Sequence, residues 1–108
     1  DVRPGDVVLV HGAGPIGLIV ADVAKSRGAV VIVSEPNENR LAMSARFGAD
    51  YMVNPVKEDL DALIMDVTGG EGVNVIFEAA GIPALRRKDP VTGRPPGGHD
   101  IWGYAHCG

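Results

Sequence analysis

The stretch Val7–Ala29, VVLVHGAGPIGLIVADVAKSRGA, decides the fold. It opens with Val7 to His11, five residues of which four are valine or leucine, without polar alternation. A short apolar run of this kind marks a strand covered on both faces, as in a parallel sheet. From Pro15 to Arg27 the period changes. Ile16, Ile19, Val20, Val23 and Ala24 recur at helical spacing and predict an amphipathic helix that buries this stripe. Pro15 suits a first helical turn, where its missing N–H is not needed, and Gly28 stops the helix. Between strand and helix stand Gly12, Gly14 and Gly17, a GxGxxG spacing.

In a chain of 108 residues with 15 glycines, that spacing alone is weak, and its context gives it weight. A buried-type strand precedes it, a helix opens on it, and Glu35 closes the next apolar strand, Val30–Val33, 18 residues after Gly17. This is the pattern of a dinucleotide site. Gly12 permits the sharp turn out of the strand, Gly14 lets a pyrophosphate approach the backbone, and Gly17 lets the helix pack closely. The free amides and positive dipole end of the helix then face phosphate. Glu35 is placed to accept hydrogen bonds from adenosine ribose hydroxyls. The competing reading of Glu35 is an exposed turn residue, since SEPNEN contains a second glutamate, Glu38.

The alternation continues beyond it. Asn37–Phe47 has helical composition and Gly48 as its stop, Tyr51–Val53 is a short third strand, and Lys57–Val67 is a third helix. Leu60, Leu63, Ile64 and Val67 form the buried stripe of that helix, and Val73–Phe77 is a fourth strand. Met43 and Met65 read as core. Strand–helix alternation with short links predicts right-handed crossovers and a parallel sheet. The expected fold is therefore α/β: a partial doubly wound, Rossmann-like parallel sheet in strand order 3-2-1-4 with helices on both faces. Residues 1–85 form an incomplete dinucleotide-binding domain and residues 86–108 an irregular tail, with Arg86–Lys88 a solvated charge run. The outer edge of the fourth strand is expected to be open and to favour self-association.

The bulk properties exclude several classes. A net charge of −4 gives no reason to expect nucleic acid or an acidic membrane surface as partner. No apolar run approaches the ~20 residues of a membrane span, and the charged opening DVRPGD is not a signal peptide. The single cysteine, Cys107, forms no internal disulfide and is compatible with a cytoplasmic protein. Asp1 is expected to continue a longer parent chain. His99, His106 and Cys107 lack the spacing of a zinc site, and Cys107 has no positioned base. His11 reads as a space-filling strand-end residue, and Trp102 and Tyr104 are too few for a nucleic-acid stacking platform.

The segments GDVVLVHGAGPIGL, AKSRGA, VIVSEPNENRL, FGADYMVNP and TGGEGVNVIFEAAG resemble, in order, the cofactor domain of medium-chain zinc-type alcohol dehydrogenases over about residues 1–85. The GAGPIGL form is similar to the polyol, threonine and butanediol dehydrogenase branch. The resemblance implies an NAD-dependent oxidoreductase that moves a hydride between nicotinamide and an alcohol or polyol, with a homo-oligomeric parent enzyme. It also implies that catalytic zinc and the proton relay belong to a domain preceding Asp1. No catalytic residue and no metal ligand is then expected here, and the chain is not catalytically complete alone. The implied cofactor-binding set is Gly12, Gly14, Pro15, Ile16, Gly17, Glu35, Arg40, Ala79, Ala80 and Gly81. Ile16 would lie under the pyrophosphate, Arg40 beside the adenosine pocket, and Glu78–Gly81 along the dinucleotide. RPPGG at Arg94–Gly98 echoes the family's turn into another strand, yet HDIWGYAHCG is not apolar, which suggests a truncated or frame-altered copy. Two alternatives stand beside this reading: a non-catalytic nucleotide-binding module, and a fragment of a zinc-independent quinone or double-bond reductase. Sequence upstream of Asp1 discriminates among the three.

Overall fold

The computed structural model describes residues 2–88. Strand β1 (Val7–His11) leads through α1 (Pro15–Ser26) to β2 (Val30–Ser34). Helix α2 (Glu38–Ser44) and a 3₁₀ turn (Ala45–Phe47) lead to β3 (Tyr51–Val53), and α3 (Leu60–Thr68) leads to β4 (Val75–Glu78) and β5 (Ala84–Arg87). The sheet order is β3-β2-β1-β4-β5. The β1–β2, β1–β4 and β2–β3 pairs are parallel, and β4–β5 is antiparallel. The expected order 3-2-1-4 is thus present and extended by one strand.

Alternate side chains of the central strands feed two cores, because the side-chain period of a strand is two. Val8, Val10, Val31, Val33 and Val75 pack with Ala21 and Ala24 of α1 and Leu41 of α2. Leu9, Ile32 and Ile76 pack with Leu60 and Ile64 of α3. Helices therefore cover both faces, α1 and α2 on one and α3 on the other. The last two helices start later than their composition suggests, because capping fixes their ends. Asn37 caps α2 by accepting the Arg40 amide, and Asp59 caps α3 by accepting the Ala62 amide.

Three expectations are corrected. First, the expected stripe of α1 faces the core only in part: Ala24 is buried and Val20 packs against the core, but Ile16, Ile19 and Val23 are exposed, and Gly17 and Ala21 are buried in their stead. Small side chains let the helix approach the sheet closely. Ile19, Val20 and Val23 instead border an apolar groove with Phe77 and Leu85. Second, Met43 and Met65 are exposed rather than core. Third, β4 does not present an open edge, since β5 pairs with it from Val75↔Arg87 to Glu78↔Ala84.

Nor is Arg86–Lys88 a free charge run. Arg86 and Arg87 lie in β5, the Arg87 guanidinium meets Asp6 at 2.6 Å, and Lys88 Nζ donates to the Glu71 carbonyl at 2.8 Å. Among residues 86–88 the tail reading is thus replaced by a strand end. The calls on Arg94–Gly98, His99, Trp102, Tyr104, His106 and Cys107 fall outside the described residues.

Asp6 ties β5 to the start of β1. Burial pushes its pKa up, but hydrogen bonds from the Arg87 guanidinium and the Arg3 amide, with the charges of both arginines, outweigh it and leave the carboxyl below its ordinary 3.8. A depressed folded-state pKa stabilises above the unfolded value and is lost as pH falls through the folded one. Urea midpoints are therefore expected to fall below pH ~4 less steeply in Asp6→Asn than in the unaltered chain. At neutral pH the variant loses about 1.5 kcal/mol, the low end for a hydrogen bond to a charged group. Superimposable pH profiles for the two chains would show that the pair contributes nothing.

Candidate dinucleotide site

The carboxyl ends of β1, β2 and β4 meet where the chain reverses its direction of travel across the sheet, between β1 and β4. Ligands of open α/β sheets bind at this point. A cavity of about 250 Å³ opens there, lined by His11, Gly12, Gly14, Ser34, Glu35, Pro36, Arg40, Ala79 and Ala80.

Its floor is the turn between β1 and α1. Gly12 has φ +111°, a left-handed conformation that side chains disfavour, and a Cβ there would lie 3.0 Å from the Ala80 amide nitrogen. The turn is pinned at one end by Gly12 N–H donating to the Ser34 carbonyl at 2.8 Å. Ala79 N–H donates to the His11 carbonyl at 2.9 Å and brings the loop after β4 alongside. Gly17 faces inward: a Cβ on it would stand 2.1 Å from the Gly12 carbonyl oxygen. Gly14, by contrast, would project a Cβ into open space.

Gly14 is the N-cap of α1, and no side chain caps that end among the described residues. The first intrahelical bond runs from Leu18 N–H to the Gly14 carbonyl at 3.0 Å. By helix geometry the amides of Ile16 and Gly17 then have no acceptor within α1, and Pro15 has no amide to satisfy. Unmet donors at the positive end of a helix favour an anion.

The remaining wall carries the polar side chains. Glu35 is 5% exposed, so it is not the solvated turn residue its neighbours suggested. Its Oε1 accepts the Ala13 amide at 2.7 Å and its Oε2 accepts the Asn37 amide at 2.9 Å. Ser34, also buried, has a hydroxyl with no hydrogen-bond partner among the described residues. Asn54 supports this wall from behind, donating to the Pro36 carbonyl at 3.1 Å and to the Glu38 carboxylate.

Of the residues expected to bind cofactor, the structure brings Gly12, Gly14, Glu35, Arg40, Ala79 and Ala80 together around one cavity. Pro15, Ile16, Gly17 and Gly81 do not line it, and Ile16 is 52% exposed. Three lining residues escaped the sequence reading. Pro36 went unread beside Glu35, and so did two strand-end residues, His11 as a cavity residue and Ser34 altogether. His11 and Ser34 are register partners on β1 and β2, and His11 is also the partner of Glu78 on β4. Only strand pairing places these three side by side. Their one signal in the sequence is that each ends an apolar run.

A family model described as zinc-binding dehydrogenase matches residues 15–90. The chain belongs to this family. L-threonine 3-dehydrogenase of Pyrococcus furiosus is 50% identical over 80 residues, 73% of this chain and 23% of that protein. An alcohol dehydrogenase from Thermotoga maritima superposes with a TM-score of 0.71 at 38% identity, covering 75% of this chain and 23% of that one. The Escherichia coli quinone oxidoreductase, solved in complex with NADPH, gives a TM-score of 0.67 at 30% identity, covering 75% and 25%. The chain thus spans about a quarter of the length of these relatives. No three His, Cys, Asp or Glu side chains come together as metal ligands among its described residues. Nor is any helix among them long and apolar enough to cross a membrane.

Proposed function

We infer that this chain is the NAD-binding portion of an alcohol or polyol dehydrogenase. The observation that carries the reading is the single cavity in which an uncapped helix N-terminus, two turn glycines and a buried carboxylate converge. The fit to a dinucleotide rests on its shape and chemistry. The space in front of Gly14 is open, and the buried Ser34 hydroxyl lining the cavity has a hydrogen bond still to make.

In this reading the amides of Ile16 and Gly17 hold the pyrophosphate, and Gly12 and Gly14 keep side chains out of its way. Glu35 and Arg40 border the adenosine ribose, and Ala79, Ala80 and Gly81 run along the dinucleotide. When bound, the nicotinamide supplies the hydride chemistry, in exchange with an alcohol carbon. The chain's own residues bind and orient it. In this reading substrate activation falls to other parts of a longer protein, since the chain spans about a quarter of the length of its relatives. The likeness to threonine and alcohol dehydrogenases supports an alcohol substrate over the quinone or double-bond alternative, because identity is higher to the former pair.

Cofactor choice follows from Glu35. Its carboxylate, beside the ribose, bonds the free hydroxyls of NAD and repels the 2′-phosphate of NADP. Arg40 works the other way, since a guanidinium accepts phosphate. One charge-assisted hydrogen bond is worth ~1.5–3 kcal/mol, about tenfold to a hundredfold in affinity. Calorimetric titration of the chain is expected to give tighter binding of NAD than of NADP, and a narrower gap in Glu35→Ser. Equal or tighter binding of NADP overturns the assignment.

A further inference from the structure

We propose that Glu35 is a positioning residue for the glycine turn, holding the phosphate-facing backbone in place whether or not a ribose is present. The Gly12–Ala13–Gly14 turn is built from two residues without side chains and one with a methyl, so its own side chains fix little. Two consecutive residues at the end of β2 grip it instead. The Ser34 carbonyl takes the Gly12 amide at 2.8 Å, and the Glu35 carboxylate takes the Ala13 amide at 2.7 Å, across 22 positions of sequence.

The second carboxylate oxygen reaches the opposite wall. It accepts the Asn37 amide at 2.9 Å, and Asn37 in turn caps α2 through the Arg40 amide at 3.0 Å. One buried side chain therefore sets the distance between the glycine turn and the start of the helix that carries Arg40. Both bonds are charge-assisted, and the one to Ala13 is also buried, where such bonds are strongest. Each oxygen keeps a second lone pair, so the brace and a ribose contact are compatible. A ribose contact alone does not account for two bonds from one carboxylate to backbone amides of two different loops.

The binding arm of the test rests on the dinucleotide reading, and a second arm is independent of it. In the first, ADP and 2′,3′-dideoxy-ADP are titrated into the chain and into Glu35→Gln, which keeps the shape but turns one acceptor into a donor facing an amide. The dideoxy probe has no ribose hydroxyls for Glu35 to bond. Its affinity is expected to fall about tenfold in the variant, the size of one charge-assisted bond. An unchanged affinity for the dideoxy probe, with a loss confined to ADP, overturns the proposal in favour of ribose contact alone.

The second arm needs no ligand. In the unaltered chain the Ala13 amide proton is expected well downfield and slow to exchange, although Ala13 lies outside every helix and strand. In Glu35→Gln it should move upfield and exchange at least ~10-fold faster, while the amide of Leu9 in the sheet is unmoved. A fast-exchanging Ala13 amide in the unaltered chain overturns the brace, even if Glu35→Gln does not fold. If neither nucleotide binds the unaltered chain, the dinucleotide reading fails, and the Ala13 amide still decides the brace.

Discussion

Gly17→Ala is expected to destabilise the chain by about 3 kcal/mol, the upper range for inserting a methyl group into a packed interior. For a domain of this size the melting temperature then drops by roughly 12–24 °C. The sign is the informative part. Inside an ordinary helix, glycine to alanine stabilises by up to ~1 kcal/mol, because alanine has less backbone freedom to lose. Here the added Cβ stands 2.1 Å from the Gly12 carbonyl oxygen. That atom is backbone, in a turn fixed by Gly12 N–H on Ser34 and Glu35 on Ala13, so it has little room to yield. Either α1 moves off the sheet, opening the contacts of Ala21 and Ala24, or the turn loses its grip on β2. Urea denaturation followed by circular dichroism measures the cost. A Gly17→Ala chain as stable as its parent, or more so, would mean that the turn and helix are not held this closely.

The same residue shows where sequence reading succeeds and where it stops. Strands β1 and β2 were legible because parallel strands are buried on both faces and read as unbroken apolar runs. The order of elements followed from local rules of the same kind, whereas the caps Asn37 and Asp59 went unread, so both helices begin later than expected. The buried face of α1 was only partly legible by hydropathy, which found Val20 and Ala24. Counting apolar bulk favours Ile16, Ile19 and Val23, whereas the sheet selects Gly17, Ala21 and Ala24 for closeness of approach. Strand β5 was missed for a related reason. Ala-Leu-Arg-Arg has no apolar period, and it is held by its ladder to β4 and by an ion pair between residues 81 positions apart.

In the cavity, Gly12, Gly14 and Glu35 could be found because motif and spacing are local, and Arg40, Ala79 and Ala80 because the resemblance supplied them. Ser34 and His11 could not, because their place depends on register across three strands. The position of Glu35 was legible but its bonding was not. A carboxylate at a strand end looks the same in sequence whether it waits for a ligand or is already held by Ala13 and Asn37.

Gly14→Val carries the largest expected effect on binding, with the fold left standing. Gly14 has φ −73° and ψ −176°, an extended conformation that valine adopts readily, and its Cβ would meet no atom within 4 Å. Stability is therefore expected to change by no more than about 1 kcal/mol, the scale of an N-cap substitution. The space the side chain enters is the space in front of the Ile16 and Gly17 amides. Valine's methyl groups would stand where the pyrophosphate approaches and would also shield those donors from it. Affinity for NADH should fall by a hundredfold or more, about 2.7 kcal/mol, while the urea midpoint stays near that of the parent. Gly14→Ser sharpens the contrast. A serine at the N-cap accepts a hydrogen bond from the amide two or three residues on, the same donors a phosphate would use. It is expected to raise stability by a few tenths of a kcal/mol and still to weaken binding, so the two quantities move in opposite directions. A loop that served only as a tight turn would respond otherwise, with affinity unmoved by serine while stability still rises. Unchanged NADH affinity in Gly14→Val, with the chain folded, would place the dinucleotide somewhere other than on this turn.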